Sequence, residues 1–189
     1  MDELQIKKLN KNGYEGALSL IWNVFQEYEA PDYSQEGSDE FHKSLQSPTF
    51  LSMLTFYGAF CGDKLVGVIA TRKEGSHIAL FFVDGKYHRK GIGRRLFQTV
   101  LGKCSADTMT VNSSPYAVPV YHRLGFIDVD NEQVVNGIRF TPMEHKVRVK
   151  TENRVNCPCK RIKCVRHGNC EACRSYHANS KWKCACEQK

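Results

Sequence analysis

Between Phe81 and Leu96 an apolar strand runs straight into a basic, glycine-rich turn that opens a helix. Gly91 and Gly93 allow the backbone to approach a ligand closely. The free N–H groups and the positive dipole end of the following helix favour an anion there. Arg89, Lys90, Arg94 and Arg95 add positive charge, so the chemical product is a pyrophosphate cradle. The turn lacks the Gly-x-x-x-x-Gly-Lys-Ser/Thr spacing of a P-loop. It is also not a Gly-x-Gly-x-x-Gly after the first strand of a βαβ unit, which argues against a Rossmann site.

The sequence around this turn predicts an α+β domain. Leu18, Ile21, Trp22 and Phe25 recur at helical spacing and predict a first helix over 14–28. Pro31 breaks it, and a second helix is predicted over 39–46, with Ser38 as its cap. Three β-rich runs follow, 54–60, 65–71 and 77–83, joined by tight turns that make them an antiparallel meander. After the glycine turn come a helix over 91–103, a strand over 108–112 and a short helix over 116–124 stopped by Gly125. Two closing strands lie near 127–135 and 138–147. The predicted order is ααβββαβαββ, with a mixed, mostly antiparallel sheet flanked by helices.

The turn resembles the acyl-CoA-binding motif of the GNAT N-acetyltransferases, Gln/Arg-x-x-Gly-x-Gly/Ala. The match is His88-Arg89-Lys90-Gly91-Ile92-Gly93, with His88 departing at the first position. A later run, Asn112 to Phe126, is similar to the family's Asn-x-x-Ala-x-x-x-Tyr-x-x-x-Gly-Phe and aligns Tyr121 with its tyrosine. The resemblance implies a GNAT fold over 1–149 and acetyl-CoA as cosubstrate. It implies that N–H groups of about 88–94 hold the CoA pyrophosphate, from His88, Arg89, Lys90, Gly91, Ile92, Gly93 and Arg94. It further implies that a bulged strand end at Phe82 and Val83 pairs with the pantetheine arm, and it places Asn112 beside the cosubstrate.

The implied chemistry is attack of a primary amine on the acetyl thioester in a ternary complex. CoA leaves as a thiolate, and a phenol within reach, Tyr121, serves as general acid. Backbone N–H groups stabilise the oxyanion. The base is drawn from the acidic loop after the first helix, with Glu27 and Glu29 the chosen candidates and Asp32 and Glu36 beside them. Glu74 and Asp84 are others. The mixture of acids and aromatics over 25–33 suggests a cationic acceptor.

Cysteine divides the chain a second way. Seven of the nine cysteines fall in the last 33 residues, and residues 151–189 carry nine Lys/Arg against three acids. The run Cys157-x-Cys159-x4-Cys164-x2-His167-x2-Cys170-x2-Cys173-x3-His177-x6-Cys184-x-Cys186 offers nine donors of the kind zinc takes four at a time. A segment this short with few large apolar residues needs a staple. A metal-stapled Cys-rich tail is therefore expected over 150–189, with one or two structural Zn²⁺ held by Cys157, Cys159, Cys164, Cys170, Cys173, His177, Cys184 and Cys186. His167 is the spare.

The positive charge of the tail offsets metal-bound thiolate. A second reading makes it a nucleic-acid or protein-binding module attached to an acetyl-CoA-binding domain, although Tyr176 and Trp182 are its only aromatics. A homodimer is also compatible with the sequence. The first residues show neither a basic n-region nor an apolar h-region, and no run approaches the roughly 20 apolar residues of a membrane span. The sequence expectation is thus a cytoplasmic protein with no membrane contact.

Overall fold

The computed structural model describes residues 3–147, 159–161, 164, 166–167, 169–178 and 183–184. The chain divides into two compact units, 1–147 and 148–189.

The first unit opens with β1 (Leu4–Lys8), then α1 (Tyr14–Tyr28), α2 (Gln35–Leu45) and α3 (Pro48–Ser52). The meander β2 (Thr55–Cys61), β3 (Lys64–Arg72) and β4 (His77–Val83) follows. Next come α4 (Ile92–Leu101), β5 (Thr108–Ser113), α5 (Val118–Leu124), β6 (Ile127–Asp128), β7 (Gln133–Val135) and β8 (Ile138–Lys146). The strands form a mixed sheet in the order β1-β2-β3-β4-β5-β8-β6, with β7 paired to β8. The parallel pair is β4–β5, and the other pairs are antiparallel.

Period-2 alternation in the strands supplies a core on each face of the sheet. One face carries Val68, Ala70, Leu80 and Phe82, covered by Ala17, Ile21, Val24 and Phe25 of α1. The other carries Ile69, Met109, Val111 and Met143, covered by Ile92, Leu96, Phe97 and Val100 of α4 and Tyr121 of α5. The buried stripe of α1 is rotated slightly from the predicted one: Ala17 and Val24 are fully inside, while Leu18 and Trp22 are half-buried. Trp22 instead stacks on His42 of α2.

The structure corrects the predicted element order in four places. β1 was not expected, because its two apolar residues, Leu4 and Ile6, are too few to show a period; its pairing with β2 creates it. α3 is a single turn started by Ser47, whose hydroxyl accepts from Phe50 N–H. α2 starts earlier than predicted, because Ser34 rather than Ser38 caps it by accepting from Gly37 N–H. The strand expected over 127–135 is broken into β6 and β7.

In the second unit, α6 (Cys170–His177) is capped by Asn169, whose Oδ1 accepts from Ala172 N–H. Arg166 lies over the Tyr176 ring at 3.6 Å. Among the described residues, no helix is long and apolar enough to cross a membrane.

Candidate active site

The site starts where two strands part. β4 and β5 pair only at His77–Thr110 and Ile78–Val111. Beyond that point β4 continues to Val83 and β5 to Ser113 without further pairing, leaving the facing edge of β4 open. β4 is bulged at Ala79, which has no partner between the Ala70–Leu80 and Thr71–Ile78 pairs. The bulge implied at Phe82 and Val83 is thereby corrected: those residues are in regular register with Val68 and Gly67. A bulge increases local strand twist, and this one sits where β4 leaves β5.

The turn after β4 displays its amides. Arg89 and Gly91 both have positive φ, 59° and 79°. Among the described residues, the N–H groups of residues 89–94 donate to no protein acceptor, the first turn bond being Arg95 N–H to Gly91 C=O at 3.1 Å. His88 departs from this series, since its N–H donates to Gly85 C=O at 3.1 Å. Its ring takes a different role: Nε2 donates to Val83 C=O at 2.7 Å and the ring packs against Tyr28. His88 thus braces the turn, and the expectation that its amide contacts phosphate is corrected. Arg95 is likewise committed elsewhere, donating to Leu4 C=O at 3.1 Å. Six consecutive unbonded amides at a helix start form a nest for an anion. The turn is pressed against α1 at Gly85, where a side chain would collide with the Tyr28 hydroxyl.

A cleft of about 330 Å³ lies beside the splay. Glu29, Tyr33, Ser114 and Tyr121 line it together with Phe82 and Asn112. Tyr121 comes from α5, is 5% exposed, and packs edge-on against Phe81 and Phe126. Its hydroxyl has no protein hydrogen-bond partner among the described residues. Burial, and secondarily the charge of Glu29, raises its pKa, so it remains a phenol.

Glu29 follows the last turn of α1. Burial pushes its carboxyl up to about 7; the Ser114 hydroxyl opposes the rise and Asp32 adds to it. Ser114 Oγ is itself buried and makes no hydrogen bond of normal length. The loop carrying Glu29 is fixed from the far end of the chain: Tyr33 Oη donates to Arg139 C=O at 2.9 Å, and Arg139 donates to Asp32 C=O at 3.0 Å. Tyr33 also has a raised pKa through burial.

Of the carboxylates considered from sequence, Glu29 is the one placed in the cleft. Glu27 is exposed on α1 and does not line it, so its assignment as a base is corrected. Asp32, Glu36 and Glu74 lie outside the cleft as well. Asp84 is occupied by Lys86 N–H and Lys64. Among the lining residues that went unnoticed in the sequence are Arg72 and His77. Arg72 continues the alternation of Val68 and Ala70, and that register was the available signal.

Of the tail residues expected to bind metal, Cys157, Cys186 and the side chain of Cys170 lie outside the described residues. Cys159, Cys164, Cys173, His177 and Cys184 are described. Among the described residues, no three His, Cys, Asp or Glu side chains are grouped to hold a metal. The spare, His167, engages Cys159 C=O through Nε2 at 3.0 Å.

The family model for an acetyltransferase (GNAT) domain matches residues 29–147, more than half of the chain. Solved structures agree on the fold. A GCN5-related N-acetyltransferase from Rhodopseudomonas palustris aligns over 77% of this chain and 97% of its own, at 19% identity and a TM-score of 0.66. The PaiA N-acetyltransferase from Thermoplasma acidophilum, solved with coenzyme A, aligns over 76% of this chain and 99% of its own, at 19% identity and 0.56. A GNAT-family acetyltransferase from Staphylococcus aureus covers 77% and 100%, at 16% and 0.61. No curated protein sequence is similar to the chain. The chain belongs to the GNAT acetyltransferase family and is an acetyl-CoA-dependent N-acetyltransferase.

Proposed function

We propose that the protein transfers acetyl from acetyl-CoA to a primary amine by direct attack in a ternary complex, with Glu29 as base and Tyr121 as acid. The observation carrying this reading is that one cleft joins Glu29, poised near 7, to the Tyr121 phenol beside the open edge of β4. The amides of 89–94 take the pyrophosphate, with Arg89, Lys90 and Arg94 adding charge. The free edge at Phe82 and Val83 pairs with the pantetheine arm, and Asn112 faces it from β5. The amine nitrogen attacks the thioester carbon, and the amine loses a proton to Glu29. The C–S bond then breaks, and Tyr121 donates to the departing sulfur. A phenol held this high gives a hydrogen bond as charge develops on sulfur. It completes the transfer as Glu29 returns the proton it took, so one proton moves net from nitrogen to sulfur.

Thiol release by Tyr121→Phe tests the reading. Turnover should fall about 10²-fold or more, with acetyl-CoA affinity nearly unchanged, and unaltered turnover removes the acid role.

We further propose that residues 150–189 form a separate tail stapled by one or two structural Zn²⁺. Support comes from the donor spacing and from the lack of apolar residues for a core. The cytoplasmic assignment stands on the same footing, as a reading of the sequence.

A further inference from the structure

We propose that Arg72 binds the acceptor in this cleft, and that the acceptor amine carries a carboxylate set several bonds from the nitrogen that is acetylated. This deepens the transferase reading above and rests on it.

Arg72 ends β3 and lines the cleft together with His77, its partner across the β3–β4 register. Its guanidinium makes one hydrogen bond among the described residues, from Nη2 to His77 Nε2 at 3.2 Å. Its Nε is buried with no partner, and no described carboxylate stands within 4.0 Å of it. His77 cannot supply the missing charge. Its Nδ1 is bonded to Thr110 Oγ1 at 2.8 Å, whose own hydroxyl donates to Ser76 C=O at 3.4 Å. Nδ1 therefore carries the ring proton, and Nε2 is the bare nitrogen facing Arg72. Burial, then the charges of Arg72 and Lys73, keeps the ring neutral, with its pKa lowered to about 4.

A half-buried cation with an orphaned, buried N–H is costly unless an anion completes it. A planar carboxylate matches the guanidinium fork. One guanidinium balances one negative charge, whereas a phosphate dianion would leave charge uncompensated among Ile78, Leu80 and Phe140.

The cleft is lined by polar and apolar residues alike. Glu29 stands near Tyr121 and suits the incoming amine. Arg72 and His77 lie where β4 still pairs with β5. Tyr121 packs against Phe81, and His77 and Phe81 pair with Arg72 and Ile69, three regular steps apart, or about 10 Å of strand. An α-amino acid, with both groups on one carbon, is shorter than that run, which favours an acceptor whose carboxylate is set further from the nitrogen. The acids of the loop after α1, which suggested a cationic acceptor, are mostly outside the cleft.

The test compares 6-aminohexanoate, n-hexylamine and glycine as acceptors by thiol release. It also measures binding of the product acid, 6-acetamidohexanoate, to the CoA-loaded protein by calorimetry. The amino acid should exceed hexylamine in kcat/KM by about tenfold or more, as expected for a charged hydrogen bond, with glycine poorest. Arg72→Gln, which keeps a donor for His77, should bring that ratio towards one by raising KM for the amino acid. Arg72→Lys should restore part of it. The product acid should bind wild type and lose affinity in Arg72→Gln. Equal turnover of the two long amines, a ratio that survives Arg72→Gln, or product-acid binding that is absent or indifferent to Arg72 overturns the inference. Product-acid binding that depends on Arg72, with no amine acetylated, upholds it and sinks the transferase assignment of the cleft instead.

Discussion

Glu29 is held in a state that works against the fold. Its carboxyl is raised from 4.5 to about 7 by burial, so the folded chain holds a proton that the unfolded chain releases above 4.5. Stability contributed at this site is complete below that value, falls as pH rises to about 7, and is flat beyond. The limiting size is roughly 3 kcal/mol, less to the extent that Glu29 meets water in the cleft. Glu29→Gln should therefore unfold later than wild type at pH 8 and together with it at pH 4.5, as read by thermal melts at both. The same variant should lose the rise in turnover that wild type shows as pH passes about 7. His77, neutral and lowered to about 4, acts oppositely between that value and 6.5, so the comparison is made between variants at fixed pH. The glycines and Tyr121 were legible in the sequence because a motif fixes their neighbours. Glu29 could not be separated from Glu27, because what distinguishes them is Ser114 and Tyr121, some ninety residues away. Arg72 carries no motif at all.

At the level of elements, one tight joint is between α2 and the β7–β8 hairpin. A Cβ on Gly37 would meet the Gly137 carbonyl, and one on Gly137, whose φ is +73°, would meet Gly37 N–H. Both partners are backbone and cannot rotate aside. Gly37→Ala should cost about 1–3 kcal/mol in denaturant melts, and it should weaken acceptor turnover, since Glu40 and Phe41 of α2 line the cleft. At the start of α4, nothing crowds Gly91, but its φ of +79° penalises any side chain. Gly91→Ala should lose about 1 kcal/mol and, by turning the amides, raise the acetyl-CoA dissociation constant in calorimetry. The meander and α4 were readable from period and turn residues. β1 was not, since an edge strand with two apolar residues is defined by its neighbour.

For the whole molecule, the two units differ in what organises them. The first buries apolar clusters on both faces of a sheet. The second, if stapled as proposed, should retain one or two zinc ions per chain by elemental analysis after dialysis. Chelation of the full chain should then leave the melting transition of residues 1–147 in place. The divergence of β4 from β5 has one more consequence. A strand edge without a partner, followed by six amides without acceptors, is a stretch of main chain whose protons trade freely with solvent. Deuterium uptake should therefore be fast over residues 89–94, in contrast to the bonded amides of Asp84 and of 86–88, and slow sharply when acetyl-CoA is added. The cosubstrate would leave its outline on the backbone in an experiment that requires no knowledge of the acceptor.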